Sequence, residues 1–271
     1  MRGSDFTHDA CRGGKETAVK ITVIGCAGSF AGPDSPASSY LVEAPFEGGT
    51  FRLLLDVGSG SFGALQRHVD PVLIDAISIS HLHPDHCFDI SGHYVFRKYH
   101  PSGQLPQIPV LAPEGADWHL SNAYGTTAPN GMTLPFNFLH HIDGQTTTLG
   151  PFAIESKLVS HPVPTFAVKI STADASLVYS GDTGPMDSLA DFVRGTDAFL
   201  CEASFVESAE NPPHLHLTGA EAGAIARDAD VPLLLVTHIP SWTDRAEVQR
   251  DVESTFSGES VLVSQGDSFD I

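Results

Sequence analysis

A dense cluster of side chains that bind metals lies between residues 81 and 86. The run His81–His86, HLHPDH, places three imidazoles and one carboxylate within six residues, directly after the apolar segment Ala76–Ser80. Burying so many polar groups without partners would be costly. Imidazole and carboxylate are ligands for zinc, manganese or iron, and alternate spacing lets His81 and His83 converge on one ion. The alternative is a solvated histidine-rich loop, which the density of the cluster disfavours.

The elements around this cluster are predicted from strand and helix signals. Most chemically interesting residues stand where a short apolar strand ends, and Gly125–Pro135 is predicted to be a loop. Helices are predicted after the histidine cluster, after Pro113, near Met186–Val193, from Thr218 and from about Asp244. Strands are predicted at Ile21–Ile24, Ser39–Glu43, Phe51–Val57, Ala76–Ser80, Ile108–Leu111, Phe152–Val159, Phe166–Ser171, Leu177–Ser180, Ala198–Glu202, Leu233–Thr237 and Ser260–Val263.

The HxHxDH pattern of the cluster resembles the defining motif of the metallo-β-lactamase superfamily. That family is an α/β fold, a four-layer αβ/βα sandwich with metal ions at the edge of its two sheets. The resemblance extends over nearly the whole chain, from about Lys20 to Ile271. It predicts a single domain over residues 20–271, preceded by a polar N-terminal tail over residues 1–19.

The resemblance implies a complete set of metal ligands, in family order along the chain. One ion is expected on three histidines, His81, His83 and His161. The other is expected on Asp85, His86 and His238. Asp182 matches the carboxylate that bridges the two ions, and Asp56 matches an aspartate that supports the histidine loop without binding metal.

Each later residue also has an interpretation without metal. His161 precedes a proline and could be a loop histidine, and Asp182 lies in a glycine-rich turn and could be a turn former. A scaffold that keeps the fold without activity is a further alternative. Inactive members of the family usually lose ligands, however, and the ligand set is complete in this sequence.

Two divalent ions at such a site would support hydrolysis. A pair about 3.5–4 Å apart can hold a bridging hydroxide, since metal binding lowers the pKa of water towards about 7. The ligands include no cysteine, which leaves zinc, manganese and iron open, with zinc as the first expectation. Flavodiiron oxidoreductases carry glutamate where this chain has His83, which favours hydrolysis. Asp85 is predicted to serve in catalysis as well as in metal binding.

A second group of residues points to phosphodiesters. The segments Leu200–Phe205 and His216–Ala222 resemble the glutamate motif and the HxT segment of the phosphodiesterase branch that includes ribonuclease Z. In that branch the histidine lies by the scissile phosphate, and the glutamate pairs with that histidine. A histidine oriented by a carboxylate suits protonation of a leaving alkoxide, so His216 and Glu202 are predicted to be catalytic. The alternative is a helix-entry histidine and an unrelated acid at a strand end.

The residues after His216 form a capping-box pattern, from Thr218 to Glu221, that predicts a helix start. A helix N-terminus offers backbone N–H donors to a phosphate. His214 has no match in the resemblance and is interpreted as a surface residue.

Composition limits the size of the substrate. The chain has 33 acidic and 14 basic residues, a formal net charge of −19. Proteins that bind long nucleic acids usually carry a basic face, and the basic arm of ribonuclease Z has no counterpart here. A large nucleic acid is therefore not expected. The sequence is similar to actinobacterial cyclic-nucleotide phosphodiesterases, which implies a small phosphodiester with cAMP as the first expectation. Pro84 and Asp89 depart from the better-known class of such enzymes.

Two enzymatic alternatives stay open, a tRNA 3′-processing nuclease and a lactone or thioester hydrolase. The four cysteines are widely spaced and form no CxxC pair, which favours reduced thiols and a cytoplasmic location. No apolar run approaches the ~18 residues of a membrane span, so no membrane partner is expected. Dimers are common in this branch, and the resemblance therefore includes a homodimer among the expected partners.

Overall fold

The computed structural model describes residues 19–126, 131–208 and 210–271, which form two seven-stranded β-sheets. The strands of the first sheet are β1 (Lys20–Gly25), β2 (Ser39–Phe46), β3 (Gly49–Leu55), β4 (Ala76–Ser78), β5 (Ile108–Ala112), β6 (Phe136–His140) and, near the end of the chain, β14 (Ser268–Asp270). Those of the second sheet are β7 (Thr146–Leu149), β8 (Phe152–Leu158), β9 (Phe166–Ser171), β10 (Ser176–Tyr179), β11 (Ala198–Glu202), β12 (Leu233–Thr237) and β13 (Glu259–Leu262).

Helices cover the outer face of each sheet. Between the strands lie α1 (Ser61–Leu65), α2 (Pro84–Cys87), α3 (Ile90–Lys98), α4 (Ala116–Tyr124), α5 (Asp187–Val193), α6 (Gly219–Asp228) and α7 (Arg245–Thr255). The α1, α3 and α4 helices pack on the first sheet, and α5, α6 and α7 pack on the second. None of the helices in the described ranges is long and apolar enough to cross a membrane.

The layering follows from the alternation of side chains along each strand. In β3, Leu53 and Leu55 face the core between the sheets, while Leu54 faces the helices outside. In β11, Leu200 faces the core between the sheets and Phe199 faces the outer helices. Strands that are buried on both faces have continuous apolar runs in their sequence. The two sheets with helices on their outer faces confirm the predicted α/β four-layer sandwich.

The sheet order places the carboxyl ends of many strands at one edge. The first sheet has the order β14-β1-β2-β3-β4-β5-β6, and the second has β13-β12-β11-β10-β9-β8-β7. Strands β3 to β6 are mutually parallel, as are β10 to β13. Loops that leave these ends therefore meet along one edge of the sandwich, where open α/β sheets usually bind ligands.

Three strands lie outside the predicted set: β6, β7 and β14. Each is the edge strand of its sheet, paired on one side. An edge strand buries few of its side chains, and β7 and β14 are only partly buried. The sequence of such a strand therefore lacks a strong apolar signal.

Two predicted segments lie partly outside the residues that the structure describes. Within the predicted loop Gly125–Pro135, residues 127–130 lie outside the described ranges, as do residues 1–18 of the predicted tail. Val19, assigned to the tail from sequence, is buried and its carbonyl accepts a hydrogen bond from the Ile271 amide. The packed part of the described chain therefore includes Val19.

Candidate metal centre

The histidine cluster lies on the loop that leaves β4, with Asp56 beside it at the end of β3. His83 directly precedes α2, and Pro84 opens that helix with its fixed φ. The two loops lie close enough that a Cβ on Gly58 would come within 2.0 Å of the Asp85 carbonyl oxygen. Only glycine allows that approach, which brings the cluster onto the edge of the sheet.

Asp56 is fully buried and organises the cluster through four hydrogen bonds. Its Oδ1 accepts the Ser80 amide at 2.7 Å, and its Oδ2 accepts the hydroxyls of Ser80 at 2.8 Å and Tyr179 at 2.7 Å. The same Oδ2 lies 2.7 Å from Nδ1 of His86. With Nδ1 donating to the carboxylate, the neutral ring of His86 presents Nε2 as an acceptor that points into the site.

Three histidine rings converge at the outer part of the site. Nε2 of His81 lies 2.9 Å from Nδ1 of His83, which lies 3.2 Å from Nε2 of His161. The far nitrogen of His161 donates to the Leu215 carbonyl at 2.8 Å. His83 and His161 are only partly buried. These nitrogens and an oxygen of Asp182 lie within 4.8 Å of one another, a spacing that could hold a metal ion.

A second, deeper group combines two carboxylates with two histidines. Nε2 of His86 lies 3.2 Å from Asp182 and 3.4 Å from Asp85. Nε2 of His238 lies 3.3 Å from Asp182 and 3.7 Å from Asp85. Nδ1 of His238 is hydrogen-bonded to the Ser38 hydroxyl at 2.9 Å. Asp182 belongs to both groups, so it lies between the two candidate ion positions.

Unpartnered polar atoms in the deeper group fit a cation. Nε2 of His86, Oδ1 of Asp182 and Nε2 of His238 are all buried, and none of them makes a hydrogen bond of acceptable geometry although both rings lie within ion-pair distance of Asp182. Buried polar atoms are nearly always satisfied, and exceptions point to an ion or water. In the part of the chain that the structure describes, the ion pairs of Asp85 and Asp182 involve histidine rings alone. The donor set therefore suits divalent metal ions.

The protonation states of the site also suit a cation. Burial opposes ionisation of Asp182, but His238 and His86 outweigh it and hold the carboxyl pKa well below its ordinary value. Burial lowers the pKa of His81, which keeps that ring neutral. Burial also disfavours charge on His86, yet Asp182 and Asp56 raise the pKa of that ring well above its ordinary value. The buried carboxylates thus favour a proton on His86, and a bound metal ion could supply that positive charge instead.

Glu202 and His216 form a pair beside these two groups. Nδ1 of His216 lies 3.0 Å and 3.2 Å from the two oxygens of Glu202, and 3.9 Å from Oδ2 of Asp182. Burial would lower the pKa of His216, but the Glu202 carboxylate outweighs it and raises that pKa to about 9. Glu202 is fully buried at the end of β11 and also accepts the amides of Thr183 at 2.7 Å and Ser204 at 3.3 Å.

The hydrogen bonds from these two backbone amides distinguish between two possible roles of the Glu202–His216 pair. Asp182, Glu202 and His216 are also close enough together to be a metal-binding group. Both oxygens of Glu202, however, already accept hydrogen bonds from amides and from the His216 ring. The arrangement is that of a histidine oriented by a carboxylate.

His216 is held at the start of α6. Thr218 caps this helix by accepting the Glu221 amide at 3.2 Å, and Glu221 accepts the Thr218 amide at 2.8 Å, which completes the capping box expected from sequence. His214 is exposed, with a left-handed backbone (φ 61°) and its Nδ1 3.1 Å from the Ser160 hydroxyl.

All seven residues predicted as ligands, together with His216 and Glu202, come together at this one edge, while Asp56 contacts the loop from below. Their assignment as ligands and catalytic groups stays a prediction. Sequence reasoning missed Ser38 and Tyr179, which hold His238 and Asp56. Neither lies in a recognisable pattern, because each contact joins distant parts of the chain.

Comparisons with known proteins give matches over most of the chain. The family model described as the beta-lactamase superfamily domain matches residues 52–239. An uncharacterized protein of Mycobacterium leprae is 43% identical over 100% of this chain and 95% of its own length. The probable metallo-hydrolase YhfI of Bacillus subtilis is 30% identical over 92% of this chain and 98% of its own length.

Solved structures share the same fold. The crystal structure of YhfI superposes with a TM-score of 0.80 at 28% identity, covering 93% of this chain and 98% of that one. Human tRNase Z, short form, gives 0.71 at 19% identity, covering 92% and 98%. A diphosphatase from the PhnP family gives 0.73 at 17% identity, covering 93% and 98%. At such low identity, the last two likenesses show the fold alone.

Proposed function

The chain belongs to the metallo-β-lactamase superfamily, and from that premise we propose that it is a dinuclear metal-dependent phosphodiesterase that hydrolyses a small phosphodiester. A 3′,5′-cyclic nucleotide, with cAMP first, is the proposed substrate. His81, His83 and His161 would hold one ion, and Asp85, His86 and His238 the other, with Asp182 between. Zinc is the proposed metal, with manganese or iron as the alternatives.

Divalent ions bound there would activate water and polarise a phosphoryl oxygen. The chain's own residues would prepare the site for that chemistry. Asp56 fixes the tautomer of His86, the Leu215 carbonyl fixes that of His161, and Asp182 belongs to both groups of ligands. Such supporting contacts commonly change metal affinity by about 10- to 100-fold.

The His216–Glu202 pair is the observation that carries the phosphodiesterase proposal. A phosphodiester leaves an alkoxide that needs a proton, and a carboxylate-oriented imidazole can supply one. The ring lies beside Asp182, yet its Nδ1 is taken by Glu202. Its Nε2 is then the atom that would deliver the proton. A thioester leaves a thiolate, which needs such an acid less. A lactone also leaves an alkoxide, so a comparison of substrates is needed to distinguish it.

Several relatives are named for phosphodiester chemistry, among them ribonuclease Z of Shouchella clausii, 23% identical over 71% of this chain and 77% of its own length. The net charge of −19 favours a small diester over tRNA. We also propose a cytoplasmic location. Cys26, Cys87 and Cys201 are buried free thiols, which suit a reducing compartment.

A turnover screen of the metal-loaded protein tests this function. It compares cAMP, cGMP, bis(p-nitrophenyl) phosphate, precursor tRNA, a lactone and a glutathione thioester under the same conditions. We expect the small diesters to be hydrolysed fastest. Turnover of the lactone or thioester alone would refute the phosphodiesterase proposal, and no turnover of any substrate would favour an inactive scaffold.

A further inference from the structure

Two aromatic side chains stand exposed at the edge of the sandwich that carries the metal-ligand residues. Phe30 is 37% exposed and Trp242 is 73% exposed, and their ring centroids lie 4.6 Å apart at an interplanar angle of 50°. Phe30 belongs to the loop that leaves β1, and Trp242 to the loop that leaves β12. Large aromatic groups exposed together at a ligand-binding edge usually mark a contact surface.

Both loops are tied to the backbone around His238. A Cβ on Gly28 would lie 2.2 Å from the His238 carbonyl oxygen, and the Gly28 amide donates to the Ile239 carbonyl at 3.2 Å. Trp242 follows His238 by four residues, which limits their separation to about 15 Å of extended chain. The aromatic pair is therefore held on backbone that lies within about 15 Å of a proposed metal ligand.

A cavity lies between the same two loops. Its volume is about 160 Å³, and its lining includes Asp34 and Ser35 from the first loop and Ser241 and Thr243 from the second. The last two residues flank Trp242. An engineered cavity of about 150 Å³ holds one benzene ring, so this space is large enough for one ring of a base, such as the six-membered ring of adenine. The hydroxyl and carboxylate groups in its wall suit the polar edge of a heterocycle.

We propose that the Phe30–Trp242 pair is a stacking platform for the nucleobase of the substrate. This proposal rests on the proposed function and narrows its substrate class to diesters that carry a nucleoside. A flat base would stack on the exposed aromatic faces, which accept any base because stacking does not depend on its hydrogen-bonding groups. The phosphate of the same molecule would then reach the candidate metal centre, which includes His238.

The kinetic test compares one diester with a base and one without. cAMP carries the base, and the 3′,5′-cyclic phosphate of methyl riboside lacks it. For Trp242→Ala we expect KM for cAMP to rise roughly 10- to 100-fold, with kcat changed less than about three-fold. The base-free diester should show unchanged kcat/KM. Trp118→Ala is the matched control, because Trp118 is 71% exposed on α4, outside the two loops.

A KM for cAMP that rises less than about two-fold, or equal losses on both diesters, would overturn the platform. Wild-type protein that hydrolyses neither of these diesters nor bis(p-nitrophenyl) phosphate would instead refute the proposed function. A binding measurement then tests the platform separately. Trp118→Phe leaves Trp242 as the only tryptophan, since the chain has two.

In that variant, adenosine monophosphate should quench the tryptophan fluorescence with a saturating curve, and ribose 5-phosphate should not. Quenching by both compounds, or by neither, would contradict base stacking on Trp242. The measurement needs no turnover, so it tests base stacking even in protein that hydrolyses neither diester.

Discussion

His216 is the residue whose proposed role is most specific to phosphodiester cleavage. Its Nδ1 is held by both oxygens of Glu202, and Glu202 is itself held by two backbone amides. If His216 protonates the leaving oxygen, His216→Ala should slow cAMP hydrolysis by roughly 10²–10⁴-fold. The loss should be smaller for a p-nitrophenyl diester, whose leaving group needs no proton. Metal content should not change.

Steady-state kinetics with both diesters checks this prediction, with His68→Ala as the control, because His68 is an exposed histidine on the loop after α1. Glu202→Gln should reduce the rate less than His216→Ala, since Glu202 only orients and charges the ring. Equal losses on both diesters, or loss of metal from His216→Ala, would exclude a proton-donor role.

Asp56 allows a second prediction at the scale of a residue. Its Oδ2 lies 2.7 Å from Nδ1 of His86, in a fully buried position. Asp56→Asn should lower metal affinity by about 10- to 100-fold. The reason is that the asparagine amide carries no negative charge and therefore holds the His86 ring less firmly than the carboxylate does. A chelator competition measures this change. Asp143→Asn, at an exposed carboxylate paired with Lys157, is the control and should bind metal normally.

At this scale the sequence predicts the residues that meet at the candidate site, including the supporting Asp56 and Glu202, but it misses Ser38 and Tyr179. The HxHxDH spacing is local, so residues 81 to 86 are recognisable at once. Ser38, just before β2, and Tyr179, at the end of β10, are not, because a serine or tyrosine at a strand end looks the same with or without a partner 100 or more positions away.

Among the elements, α6 carries the clearest prediction. Thr218 accepts the Glu221 amide and is buried at the helix start that follows His216. Thr218→Ala should lower the free energy of unfolding by about 1 kcal/mol, the usual loss for an N-cap. Urea unfolding measures the loss, and Thr218→Ser should restore most of it. Unchanged stability in Thr218→Ala would show that the capping box contributes little here.

The strands show how far a pattern in the sequence reaches. Central strands such as β11 and β12 are buried on both faces, and their apolar runs are predicted with the correct ends. The edge strands β6, β7 and β14 are missed, because pairing on one side leaves their composition mixed. The site depends on the central strands, so its position was predictable although three of the four edge strands were not.

For the whole molecule, charge gives a prediction about substrate size. The net charge is −19, so a polyanion would be repelled beyond the short range of the metal ions. We expect small diesters to be hydrolysed well at about 0.15 M salt, with little dependence on ionic strength. Precursor tRNA should be processed poorly. Efficient, site-specific trimming of tRNA 3′ ends in parallel assays at the same salt would reverse this ranking.

The central claim is that two metal ions bound at one edge of the sandwich perform the reaction. Elemental analysis of purified, active protein tests it most directly, with hydrolysis of a small diester measured on the same sample. We expect about two divalent ions per chain. Asp182→Ala, which removes the residue shared by both groups, should keep its fold by circular dichroism and lose both metal and activity. Full activity in protein with only trace metal, or in Asp182→Ala, would contradict the claim.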